Sequence, residues 1–481
     1  MTRRQLAAAT AGILAMPAHA HGFAQRYDLP LPLTLYLSGA GLTVVLSCLL
    51  LFLFVRRAPE GAAYPSLDLL RFAPGRWLAS PAAIGVLRAI TVLGYALVLF
   101  AGFFGNQNPF RNFVPLGIWA LWWVGMSYTS ALAGDLWRVS NPLETLFAAA
   151  ERAYARAFGK PLARGLALPP WVASWPAVGL YFVFQWMELV WDGTDSPRLV
   201  AAAIALYSAI TWAGMWLYGR EAWLAHGEAF TRVFGVLARF APLHVELRER
   251  RVTRFELRPY AVGLLNREPV GLSDIVLVIA ILAAVSLDGF LETPVWAAIA
   301  EAWAGDADPG EGLRTAALAA APVLFLCVYL VFCELIARCG TAGNGPGRQR
   351  ARGRIAGLFV LTLVPIAIAY QFAHYLSYLV TAWEYMISIG SDPFGWGWNL
   401  FGTVTHLVRP NIVDARLVWI ISVVAIVAGH VAALYLGHRL STQEFRDRRD
   451  ALRSELPMLV LMVGYTMLSL WIIAQPIVNS R

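Results

Sequence analysis

Apolar stretches of about 20 residues, each the length needed to cross a bilayer as a helix, recur along this chain. They constrain its fold more than any other feature. They run at Leu33–Val55, Ile84–Phe104, Phe113–Ala133, Trp171–Val190, Leu199–Tyr218, Asp274–Phe290, Thr315–Ala337, Ile355–Ile389, Leu417–Gly437 and Met458–Val478. The spacing predicts an all-α, polytopic membrane helix bundle of ten spans, forming a single integral membrane domain over 21–481. Only 14% of the residues are charged, against about 25% in a typical soluble domain. The eighth stretch is long enough to reach beyond the bilayer.

The first twenty residues have a different pattern. Arg3 and Arg4 precede a short apolar run from Leu6 to Met16, and Ala18-His19-Ala20 has the small-x-small form of a cleavage site. This predicts a signal peptide over 1–20, removed in the mature protein.

The charge of +8 is carried almost wholly by arginine, since Lys160 is the single lysine. Basic residues gather in every second loop: Arg56-Arg57, Arg138 to Arg164, Arg220 to Arg267, Arg338 to Arg354 and Arg439 to Arg453. The alternation explains the charge as topology, and no nucleic-acid partner is expected. The positive-inside rule makes these loops cytoplasmic. The expected location is the bacterial inner membrane, with the mature N-terminus and the C-terminus both extracytoplasmic. The largest basic loop, about 219–271, contains "EAFTRVFGVLARFAPL", which predicts a helix lying on the membrane face. "HVELRERRVTRFELRPY" alternates like a hairpin, and "GTAGNGPGRQRARGR" reads as a flexible loop. Four cysteines without a CxxC predict neither a disulfide framework nor a thiolate zinc site.

Ionisable groups inside lipid are costly, so those within the spans are informative. Most fall in the outer half: Glu188 in "FQWMELVWDG", Asp288 and Glu292 four apart in "SLDGFLET", and His374 and Glu384 in the eighth span. His430 lies near mid-depth of the ninth span, and His438 near its cytoplasmic edge. Imidazole and carboxylate together suit a site for zinc or iron. His374 and His430 are the candidate intramembrane ligands, with Glu188 and Asp288 as candidate catalytic carboxylates. Each also has a structural reading: an interfacial carboxylate, or a histidine bonding a neighbouring helix.

His21 becomes the first residue if cleavage follows Ala20. Its free amine and imidazole could chelate copper, with His406 of an outer loop as a further ligand. Asp135, Asn141 and Glu144 of the inner segment "AGDLWRVSNPLETLF" read as helix caps. Trp119, Trp122, Trp123, Trp396 and Trp398 read as interfacial belts or the cover of a pocket. GxSxG, GxGxxG and GxxxxGK[ST] are absent.

"HGFAQRYDLPLPL", "NPLETLF", "HYLSYL", "SDPFGWGWNLFGT" and "WIIAQPI" together resemble a family of bacterial polytopic membrane proteins commonly labelled fenitrothion hydrolase. The resemblance covers most of the mature chain. It implies hydrolysis of an organophosphorus triester at its P–O–aryl bond, a divalent metal to activate water, and an apolar pocket for a small hydrophobic substrate. It assigns no residue a role. Two other functions suit the same residues: ion or metal transport, or anchoring of a partner complex.

Overall fold

The computed structural model describes residues 27–54, 64–265, 268–305, 310–340, 348–407, 414–445 and 447–479. The signal peptide, His21 and Arg56-Arg57 lie outside them. The chain begins with β1 (Tyr27–Asp28), α1 (Leu33–Phe54), β2 (Leu67–Asp68), α2 (Ala73–Leu78) and α3 (Pro81–Phe104). A continuous helical run, α4, follows as Phe113–Leu116, Gly117–Val124 and Gly125–Leu132, its middle part wound as a π-helix. Next come α5 (Leu136–Ser140), α6 (Pro142–Phe158), α7 (Trp175–Leu189), α8 (Pro197–Tyr218), α9 (Arg220–His226) and α10 (Ala229–Ala238). A hairpin of β3 (Leu243–Arg248) and β4 (Arg251–Leu257) leads to α11 (Leu272–Leu291), α12 (Pro294–Ala304) and α13 (Gly310–Gly340). The last elements are α14 (Arg348–Phe359), α15 (Val364–Ser391), α16 (Ala415–Glu444), α17 (Arg448–Ile477) and β5 (Val478–Asn479).

The protein is an α-helical bundle with little sheet. Among the described residues, eight helices are long and apolar enough to cross a membrane. The expected third span is α4. The expected fourth is the shorter α7, which starts at Trp175 because Pro169, Pro170 and Pro176 confine helix growth to the residues after the turn. The long eighth span is α14 and α15, joined through a 3₁₀ turn at Val360–Leu363 just before Pro365, whose missing N–H interrupts the α ladder.

The ends of the described chain meet. Tyr27 and Asp28 pair in parallel with Val478 and Asn479. At the other end of α1, β2 adds antiparallel to β4 of the hairpin, giving the order β2-β4-β3. Both termini of the described chain therefore sit at one end of the bundle, and the small sheet sits at the other.

Three expectations are corrected. The α10 helix does not lie on the membrane face. Phe230, Val233, Phe234, Val236 and Leu237 are buried, because α10 inserts against α4 and α7 and presents its apolar face to them. Trp122 and Trp123 are likewise not belt residues. They pack into an aromatic cluster with Trp137, Phe184, Phe230 and Phe234, with ring centroids 4.5–6.3 Å apart. The basic segment read as a flexible loop is helical from Arg348 onward, and 341–347 lie outside the described residues. The expected hairpin is present as β3 and β4.

Small residues set the helix crossings, as membrane packing favours. A side chain at Gly429 of α16 would meet the Ala369 Cβ at 2.4 Å and the Pro365 carbonyl oxygen at 2.8 Å. Gly429→Leu is expected to wedge α15 from α16 and lower the melting temperature of the detergent-purified protein. The shift should correspond to about 1–3 kcal/mol or more of overpacking; an unchanged melting curve would refute the close crossing.

Candidate functional site

Three helices converge on one buried group of polar side chains. Helix α7 contributes Gln185 and Glu188, one turn apart and so on one face. Helix α11 brings Asp288 near its end, and α15 brings the adjacent His374 and Tyr375. The Nε2 of His374 lies 2.9 Å from Oδ2 of Asp288. The Tyr375 hydroxyl lies 2.5 Å from the same Asp288 oxygen and 3.2 Å from Oε1 of Glu188. Gln185 donates from Nε2 to Oε2 of Glu188 at 3.0 Å. The result is a continuous chain, His374–Asp288–Tyr375–Glu188–Gln185. The His374 side chain is 4% exposed and that of Asp288 17%, so the group is buried but opens at Asp288.

The chain has more acceptors than hydrogens. A tyrosine hydroxyl carries one hydrogen and can satisfy only one of its two carboxylate contacts. The other requires a proton on a carboxyl group or a cation beside it. Two carboxylates so close in a poorly solvated setting also repel each other unless a positive charge intervenes. A proton shared between the carboxylates, or the imidazolium form of His374, would relieve that repulsion.

Polar groups continue inward from this chain. The Tyr370 ring stacks near His374, with centroids 6.2 Å apart. Its buried hydroxyl has no hydrogen-bond partner among the described residues. Tyr370 fits because position 289 is glycine: a Cβ there would stand 2.4 Å from its hydroxyl oxygen. Tyr465 and Ser286 share a hydrogen bond of 2.5 Å, and the His430 ring lies 5.8 Å from that of Tyr465. Further along α16, His438 Nδ1 is 3.0 Å from Oε1 of Glu455.

Glu188, Asp288 and His374 are thus brought together, and the other candidate ligands are not. Nδ1 of His430 bonds the Ile426 carbonyl at 2.8 Å, and its Nε2 is buried without a partner among the described residues. His406 pairs with the buried Glu384 at 3.1 Å. His21 lies outside the described residues. Among the described residues, no three His, Cys, Asp or Glu side chains converge as a metal-ligand set. In this arrangement His374 and Tyr375 bond Asp288 directly, and Tyr375 also reaches Glu188.

Sequence reading missed Tyr375, Gln185, Tyr370, Tyr465 and Glu455. Gln185 and Glu188 at i,i+3 offered a local signal. The others depend on contacts across helices.

The inner-segment residues are caps. The Asp135 carboxylate accepts from Arg138 N at 3.0 Å, and Asn141 Oδ1 accepts from Leu143 N and Glu144 N. Glu144 does more than complement the helix dipole. It bonds Arg250 Nη1 at 2.9 Å and lies 3.7 Å from Arg220 Nε.

No protein-family model, curated protein or solved structure matches this chain.

Proposed function

We propose that this chain is a multi-pass inner-membrane protein that takes up and passes on protons through the His374–Asp288–Tyr375–Glu188 chain, as in proton-coupled transport. In this reading α4 and α7 complete ten spans after a cleaved signal, the termini are extracytoplasmic, and the chain of groups lies in the outer half. The carrying observation is the single Tyr375 hydroxyl set between two carboxylates, 2.5 and 3.2 Å away. Such a chain releases or gains a proton with little rearrangement, because each neighbour can take it up. His374 can hold the positive charge as imidazolium beside Asp288. The polar groups toward His438 and Glu455 support an inward continuation, as intramembrane ionisable relays do.

The test is proton flux into proteoliposomes loaded with a pH-sensitive dye. The wild-type protein is expected to acidify the lumen under an imposed gradient. Asp288→Asn and His374→Ala are each expected to slow this at least tenfold while keeping the detergent melting curve. Variants with wild-type flux, or a wild-type protein without flux, would sink the reading.

A second reading follows the resemblance: organophosphorus triester hydrolysis, with the His374–Asp288 pair as general base toward water. The partial opening at Asp288 favours it. Purified protein would then release 3-methyl-4-nitrophenol from fenitrothion, with Asp288→Asn inactive. No product with added zinc, iron or copper would remove this reading.

A further inference from the structure

A second polar feature lies at the opposite end of the bundle, beside the small sheet and away from the His374 chain. A cavity of about 860 Å³ is enclosed by the starts of α5 and α6, by α9 and α10, and by the β3–β4 hairpin. Seven arginines line it against four carboxylates. The carboxylate of Glu144 is already engaged by Arg250 and Arg220, and Arg232 is paired with Asp274 outside the cavity wall. Arg138, Arg239 and Arg248 have no carboxylate in ion-pair range among the described residues. Among the described residues, Arg258 bonds only backbone carbonyls, those of Ala241 and Arg239.

Burial, and then neighbouring Arg232, pull the Arg239 guanidinium below its usual range. Burial pulls Arg258 down in the same direction; Glu256 opposes this, and Arg239 adds to it. Independent evidence of a missing partner comes from Asn141, 2% exposed on the cavity wall. Its Oδ1 caps α6, while its Nδ2 is buried with no hydrogen-bond partner among the described residues. Nε of Arg232, also on the wall, is in the same state. Unfilled buried donors are rare and call for an explanation. The two buried wall atoms left unfilled, Asn141 Nδ2 and Arg232 Nε, are both donors, and planar guanidinium forks match phosphate oxygens two at a time. The volume falls within the range of small-molecule pockets, about 300–1,000 Å³, and exceeds what a single inorganic ion fills.

We propose that this cavity binds a phosphate ester, anchored by Arg239, Arg258 and the Asn141 amide. The ester can be the headgroup of an anionic phospholipid or a soluble phosphate compound, and the experiment separates the two sources.

Purified protein is titrated calorimetrically in detergent with AMP and with pyrophosphate, and its melting temperature is compared in nanodiscs of phosphatidylcholine with and without phosphatidylglycerol. Saturable binding of AMP or pyrophosphate would identify a soluble ester. Stabilisation by phosphatidylglycerol alone would identify a lipid headgroup. In either case Arg239→Gln with Arg258→Gln should weaken the effect at least tenfold. Asn141→Asp keeps the capping oxygen but replaces the amide donor with a negative acceptor, so it should weaken binding similarly with the ligand-free melting curve retained. Absence of both effects, or an effect undiminished in Asn141→Asp and in the arginine variant, would overturn the proposal.

Discussion

Glu228→Ala is expected to produce the largest loss of stability of any single substitution considered for this chain. Glu228 is wholly buried and caps α10 through Phe230 N at 3.2 Å and Thr231 N at 2.6 Å. The Tyr207 and Thr231 hydroxyls also donate to it, as does the Trp137 indole at 3.3 Å. Truncation would strand donors from three elements inside the protein, each costing about 1–3 kcal/mol. Their combined loss, at least about 4 kcal/mol, is a large part of a stability of roughly 5–15 kcal/mol. Thermal unfolding in detergent should shift downward by on the order of 10 °C or the protein should fail to accumulate. Glu228→Gln retains the shape and some acceptors, so it should lose less. A Glu228→Ala protein melting within a degree or two of wild type would refute this account.

Glu144→Ala comes second. The carboxylate is 10% exposed and sits between Arg250 and Arg220. Arg220 keeps Glu151 at 3.4 Å, but Arg250 is left with the backbone carbonyl of residue 144 and the Thr145 hydroxyl, each at 3.4 Å. Breaking a buried pair from one side costs about 3–5 kcal/mol because the other charge remains desolvated. The same reasoning predicts recovery in Glu144→Ala with Arg250→Met, where no charge is stranded. A double-mutant cycle on melting temperature reads this directly. Strictly additive losses would exclude the coupling.

These two carboxylates illustrate what could be read beforehand. "NPLETLF" identified Glu144 as a first-turn residue after an Asn cap, and the cap is present. Its arginine partner is 106 residues away on the hairpin, beyond any local pattern. Glu228 carried no warning at all, since a lone glutamate before an apolar helix usually reads as a solvated cap. The α10 helix went the same way. Its apolar residues were visible, but whether lipid surface or protein interior covers them depends on which helices arrive beside it.

The candidate site divides similarly. Asp288, Glu188 and His374 stood out because charge in an apolar stretch is costly, and the cost is a property of the stretch itself. Their meeting, and the separation of His430 and His406 from them, follows from how α7, α11, α15 and α16 pack. Tyr375 could not be singled out, because tyrosine is ordinary in an apolar span until its hydroxyl is placed between two carboxylates.

By itself the sequence determined that this is a membrane-type helical bundle, roughly where its helices lie, and which loops are basic. Hydropathy, proline and arginine act locally, so their effects are written in consecutive residues. Only the tertiary structure decided that the two ends of the described chain pair, that a hydrogen-bonded chain of His374, Asp288, Tyr375 and Glu188 forms at one end of the bundle, and that an arginine-lined cavity forms at the other. Each depends on segments far apart in sequence being brought side by side, and small residues such as Gly289 and Gly429 permit close approach without announcing which neighbour they admit.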